Sequence, residues 1–181
     1  IGKARDHVYI QTPYLVPDEI ILNEIKMAAY SGIDVKIMIP CKPDHPLVYW
    51  ATYSYVGELL DAGVKCYTYD NGFLHAKGVM SDGLVCSYGT ANMDVRSYQL
   101  NFEVNATIYS PKTTAKLEKI FEEDLAYCTE ITPQIYAEAM QNRRGFIRST
   151  RRGAHAHACA LPSGGQHTSE AMYVSAKSFM D

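Results

Sequence analysis

His75, Lys77, Asp82, Thr90 and Asn92 fall within one short stretch, and their side chains suit phosphodiester chemistry without a metal. An imidazole attacks phosphorus or protonates a departing alcohol. An ammonium and a carboxamide hold the non-bridging oxygens while negative charge builds on them. Lys77 serves as a point charge on one such oxygen. Asn92 donates from its amide to another, with the Thr90 hydroxyl beside it. A strand over residues 74–81 turns His75 and Lys77 to one side, because residues two apart share a face. Asp82 has the opposite parity and reads as a supporting residue. Thr90 and Asn92 are again two apart and converge on the phosphate from the following turn.

Glu103 is the candidate for orienting His75. In Asn101-Phe102-Glu103-Val104-Asn105 polar and apolar residues alternate, so a strand puts Asn101, Glu103 and Asn105 on one face. A carboxylate there accepts the ring N–H of His75, fixes its tautomer and stabilises the imidazolium. His155, His157 and Cys159 lie in a Gly/Ala/Ser-rich tail, where composition rather than metal binding accounts for them. No metal ligand set and no organic cofactor are expected.

The spacing His75-x-Lys77, four residues, Asp82, six residues, then Gly89-Thr90-Ala91-Asn92 resembles the phospholipase D superfamily at every offset. Flanking segments narrow the likeness: Tyr9 to Tyr14, Lys42 to Pro46, Val48 to Ala51, Gly72 to His75 and Leu100 to Asn105. From about residue 6 to about residue 131 the chain is similar to the C-terminal half of a bacterial cardiolipin synthase. That resemblance implies an enzyme joining two phosphatidylglycerols into cardiolipin and glycerol through a phosphohistidine. It implies two His-x-Lys motifs, the N-terminal one supplying the nucleophile and the C-terminal one the acid. His75 belongs to the second type, with Lys77 and Glu103 beside it. Tyr14, His45 and Tyr49 become candidates for a headgroup pocket, although Tyr49 also follows core spacing. The implied location is the cytoplasmic face of a bacterial cell membrane, with phosphatidylglycerol as partner. Only one motif is present, so the second comes from an N-terminal half outside this sequence or from a homodimer. A phosphodiester hydrolase of the same superfamily and a catalytically incomplete fragment are the alternatives.

The elements that must position these groups follow from local pattern. Residues 7–15 read as a strand, and Asp18 caps a helix that ends at Gly32. Residues 34–40 form a second strand, 45–62 a helix and 64–69 a third strand. The Asn71-Gly72 turn leads into two strands, 74–81 and 84–89, joined at Asp82-Gly83. Residues 102–109 alternate as a strand, and 111–127 form an amphipathic helix. A short helix over 132–143 has Thr132 as cap and Pro133 at its first position. The order indicates an α/β domain with a mixed β-sheet flanked by helices. The expected division is a catalytic domain over 1–131, a basic C-terminal extension over 132–153 and a divergent, disordered tail over 154–181. Arg143, Arg144, Arg148, Arg151 and Arg152 make the extension basic.

Composition bounds the rest. The 181 residues are 47% apolar with a formal net charge of −3, which suits a globular domain and argues against a nucleic-acid groove. Fourteen Tyr against one Trp fits surfaces that are apolar in body and wet at the tip, lipid interfaces included. Five scattered cysteines form no Cys-x-x-Cys pair and fit a reducing compartment better than a disulfide framework. No apolar run reaches the roughly 18 residues that span a bilayer. The chain opens at Ile1 and enters a strand almost at once, so it reads as part of a longer protein.

Overall fold

In a computed structural model, residues 1–42 and 46–141 are described, the side chains of residues 46 and 47 excepted. Three parallel strands make the centre: β1 (His7–Gln11), β3 (Asp34–Pro40) and β4 (Lys65–Tyr69). Helix α1 (Glu19–Tyr30) links the first two and α2 (Pro46–Asp61) the last two. Four antiparallel strands complete the sheet: β5 (Gly78–Ser81), β6 (Val85–Gly89), β8 (Asn105–Ile108) and β9 (Cys128–Glu130). The order across the sheet is β8-β6-β5-β1-β3-β4-β9. Two short strands, β2 (Leu15–Val16) and β7 (Met93–Asp94), pair in parallel beside it. A mixed sheet flanked by helices is what the sequence pattern implied.

Alternation along β1 builds the two cores. Val8 and Ile10 enter one core with Leu22 and Ile25 of α1 and Val56 and Leu59 of α2. Tyr9 enters the other, where helix α4 (Pro111–Leu125) brings Leu117 and Phe121. The Tyr9 and Phe121 rings stack with centroids 4.8 Å apart. Strand β3 lies between both layers and is buried from Ile37 to Pro40, as a strand covered on two faces must be. Residues 133–141 are helical. Tyr136 of that helix lies on Gly57 of α2, where a Cβ would overlap its ring.

Local chemistry sets the element ends. The Asp18 carboxylate accepts the Ile21 N–H at 2.9 Å and caps α1. Gly32 then takes φ +83°, the left-handed conformation that terminates the helix. At the β5–β6 turn Asp82 and Gly83 both have positive φ, 55° and 65°, as a primed hairpin turn requires.

Three expected strands are shorter than the pattern implied, that over 7–15 breaking into β1 and β2, and one helix is new. Residues 73–77 are not a strand, because β1 ends at Gln11 and the β1–β5 ladder begins only at Gln11 opposite Gly78. The parity argument for His75 and Lys77 therefore has no strand beneath it. Residues 102–104 are likewise outside the ladder, and β8 starts at Asn105. Between β7 and β8 lies an unanticipated helix, α3 (Val95–Gln99), capped by Asp94. The expected tail over 154–181 and the arginine cluster lie outside the described residues.

Candidate active site

His75 and Lys77 sit where the chain runs into β5, at the end of the sheet where β1 stops. His75 is exposed and its ring lies near that of Phe73, centroids 5.8 Å apart. Lys77 folds back over it: Nζ is 3.3 Å from Nδ1, 3.2 Å from Nε2 and donates to the His75 carbonyl at 3.0 Å. Near-equal distances to both ring nitrogens place the ammonium over the ring rather than along one lone pair. Burial lowers the Lys77 pKa below its ordinary value, and the carboxylates of Glu103 and Asp94 oppose that fall.

The backbone at this point is fixed by a glycine. A Cβ on Gly78 would overlap the Tyr88 ring. Tyr88 is in turn held by Gln11, its hydroxyl donating to Oε1 at 3.0 Å, and Gln11 Nε2 donates to Asp124 at 3.3 Å. Gln11, Thr12, Lys77, Ser87, Tyr98 and Asn105 contribute to the lining of a cleft of about 50 Å³.

Gly89 has an equally specific reason. A Cβ there would overlap the Val104 carbonyl and the Asn105 side chain, so only glycine lets β6 approach the residues entering β8. Across that approach Thr90 N–H donates to Val104 O at 3.0 Å and Val104 N–H donates to Thr90 Oγ1 at 2.9 Å. The Thr90 hydroxyl is thus engaged with protein. Asn92 N–H donates to Ser97 Oγ at 3.1 Å. The buried Asn92 Oδ1 has no hydrogen-bond partner among the described residues.

Glu103 accepts from Ser97 Oγ at 3.0 Å and from Asn101 Nδ2 at 3.2 Å. Bonds from Thr90, Asn101 and Ser97, with the Lys77 charge, hold its carboxyl below the ordinary range against the effect of burial. The expected bond to the His75 ring is not formed among the described residues. Glu103 instead acts on Lys77 through its charge, and Lys77 contacts the His75 ring. The difference arises because residues 102–104 are not a strand, so no alternation aims Glu103 at the ring.

Asp82 lies at the other end of the sheet. Its carboxylate accepts the N–H groups of Arg5 at 2.9 Å, Asp6 at 2.9 Å and His7 at 3.0 Å. Tyr14 and Tyr49 line a small apolar cleft with Pro13, Ile39, Pro40, Val48 and Thr52. His45 is outside the described residues.

Sequence reading missed three residues that build this site. Thr12 Oγ1 accepts the Met93 N–H at 3.0 Å and donates to Tyr14 O at 2.7 Å, pinning the segment after Asn92 to the end of β1. Asp94 accepts the Ser97 N–H at 2.7 Å. Ser97 joins Asn92 to Glu103. The Asp94-x-x-Ser97 spacing of an N-capped turn was the available signal.

Comparison with known proteins places this arrangement. Residues 1–125 match the family described as cardiolipin synthase, PLD-like domain. The chain belongs to that family. It is similar to a cardiolipin synthase of Listeria welshimeri, 53% identical over 138 residues, which are 76% of this chain and 29% of the relative. The matched region thus spans under a third of that relative's length. Among solved structures it is similar to the phospholipase D family member Nuc of Salmonella typhimurium, with TM-score 0.62 and 19% identity over 71% of this chain and 84% of Nuc. It is also similar to phosphatidylserine synthase of Haemophilus influenzae, with TM-score 0.59 and 16% identity over 83% of this chain and 41% of that one. At those identities the two structures support the fold, a phospholipase D-type α/β sheet.

Proposed function

We propose that the chain is one half of a phosphatidyltransferase that makes cardiolipin from two phosphatidylglycerols. One observation carries the reading: the family match covers the segment whose His75, Lys77, Asn92 and Glu103 gather at one end of the sheet. A histidine of the complementary half attacks phosphorus of the first phosphatidylglycerol. The P–O bond to the glycerol headgroup breaks, and His75 gives that glycerol its proton. The headgroup hydroxyl of a second phosphatidylglycerol then loses its proton to His75 and attacks the phosphohistidine. The N–P bond breaks and cardiolipin leaves. Lys77 and Asn92 hold the non-bridging oxygens through both steps, with Asp82 a supporting residue remote from the phosphate.

The second motif comes from the rest of the protein, since this chain aligns with 29% of its relative. Substrate and product are lipids, so the working place is a membrane surface, on the cytoplasmic face. No described helix is long and apolar enough to cross a membrane. The test is the complete enzyme on phosphatidylglycerol in mixed micelles, with cardiolipin and glycerol quantified together. One glycerol per cardiolipin is expected, and a chelator should not stop turnover. Phosphatidic acid and glycerol without cardiolipin would make water the acceptor and turn the reading into a hydrolase.

A further inference from the structure

Ser97 is not among the candidate site residues, yet it sits at the centre of the loop that carries two of them, Asn92 and Glu103. Residues 91–104 leave the sheet after β6 and return to β8. Their neck is closed by the Thr90–Val104 pair and by Ala91 N–H donating to Asn105 Oδ1 at 3.1 Å. Within the loop Ser97 is 5% exposed. Its hydroxyl accepts the Asn92 N–H at 3.1 Å and donates to Glu103 Oε1 at 3.0 Å. Its own N–H is held by Asp94 at 2.7 Å, so its backbone is fixed by the cap of α3. A hydroxyl has one proton to donate, and here that proton goes to Glu103.

We propose that Ser97 is a positioning residue: its single hydroxyl sets where Asn92 and Glu103 stand relative to one another and to Lys77. The inference rests on the functional reading above for its effect on turnover, but not for its effect on Glu103. Ser97 touches no reacting atom. Without its hydroxyl the Asn92 N–H and one Glu103 oxygen each lose a partner in a part-buried place. Asn92 then loses its anchor, and Glu103 keeps the Thr90 and Asn101 donors but not the third. A carboxylate that loses a donor titrates higher, so less of it is ionised opposite Lys77 at low pH.

The experiment compares S97A, S97T, E103Q and S97A/E103Q in the complete enzyme. S97A should lower kcat by about ten- to a hundredfold, as small misplacements of catalytic groups do. KM should stay within about twofold, and the acid limb of the pH–rate profile should move to higher pH. S97T keeps the hydroxyl and should restore the limb. In the E103Q background S97A should add less than about a further threefold, because the two residues act as a unit. Equal losses from S97A in both backgrounds, with an unmoved acid limb, would mean general destabilisation and overturn the proposal. Carbon-13 NMR of the Glu103 carboxyl gives a readout free of the substrate. Its titration midpoint should rise in S97A, and an unmoved midpoint overturns the proposal. If wild-type enzyme does not consume phosphatidylglycerol, the functional reading falls while the NMR titration still decides for or against Ser97.

Discussion

Lys77 carries its charge in a half-buried place that disfavours it, and the two carboxylates in its field keep the ammonium available. A cation so placed binds a phosphate strongly because little water competes with it. Its contact with the His75 ring puts both groups within reach of one phosphate oxygen set. His75→Ala should therefore lower turnover by about a hundred- to ten-thousandfold with folding intact, by the usual worth of a general acid. A rate equal to wild type would remove His75 from the mechanism. Gly89→Ala addresses the scaffold instead. The new methyl meets backbone of residues 104 and 105, which cannot rotate away as a side chain can. Overpacking of this kind costs about 1–3 kcal/mol, or a fall in Tm of about 2–4 °C per kcal/mol for a domain of this size. Calorimetry checks it, and an unchanged Tm would show that β6 and β8 have slack at their meeting point.

At the scale of elements, the motif hairpin is tied down at the end remote from His75. The Asp82 carboxylate collects three N–H groups at the start of β1. His7 bonds Asp6 and Glu118 of α4 at 2.8 Å each, and Glu118 also accepts the Gly83 N–H at 2.9 Å. Three elements thus meet at one junction. Burial alone would lower the His7 pKa, but its two carboxylate partners raise it above 6.5. Burial alone would raise that of Asp82, but the His7, Asp6 and Arg5 N–H groups and the His7 charge bring it below 3.8. The His7 contribution is therefore full below pH 6.5 and lost as pH climbs through its raised folded value. That of Asp82 is full above pH 3.8 and lost as pH falls through its lowered one. Stability from the junction should peak between these limits. Urea unfolding of H7N across pH should lack the alkaline decline and that of D82N part of the acid decline. Matching pH profiles for H7N and wild type would sink the assignment. The sequence made the long-period elements legible: α1 and α4 carry their own caps, and β3 and α2 their own apolar positions. It made the motif residues legible because their offsets are fixed. It did not show where ladders stop. Whether residues 73–77 and 102–104 pair depends on where β1 ends and where β8 begins, and neither boundary is written in local alternation. Ser97 and Thr12 escaped notice because a hydroxyl bridging two groups across a loop has no sequence period.

The whole molecule presents one side of the sheet for further contact. Beside the site Leu100 is 72% exposed, Phe102 107% and Val104 76%, all on the return segment of the α3 loop. Next to them β8 forms the sheet edge, with Asn105, Ala106 and Thr107 exposed. Large apolar side chains grouped at the rim of a site mark an interaction surface, and an open edge invites pairing. The buried Asn92 Oδ1 without a partner among the described residues adds a polar demand at the same rim. Under the proposed function, the occupant consistent with these features is a complementary half that would carry the second motif; the chain aligns with 29% of its relative, which leaves room for one. Seated there, it would cover Phe102 and bring its own histidine toward the phosphate from the side opposite His75. Burying a Phe side chain contributes about 1.5–3 kcal/mol, so its loss should weaken association about ten- to a hundredfold. Phe102→Asp should accordingly lower the Tm and turnover of the complete enzyme while leaving the isolated chain as stable as before and more soluble. Sedimentation of the isolated chain mixed with the complementary half measures the association directly. If F102D binds that half as tightly as wild type does, the interface lies on another face of the sheet, and the exposed loop has to be explained by the lipid surface instead.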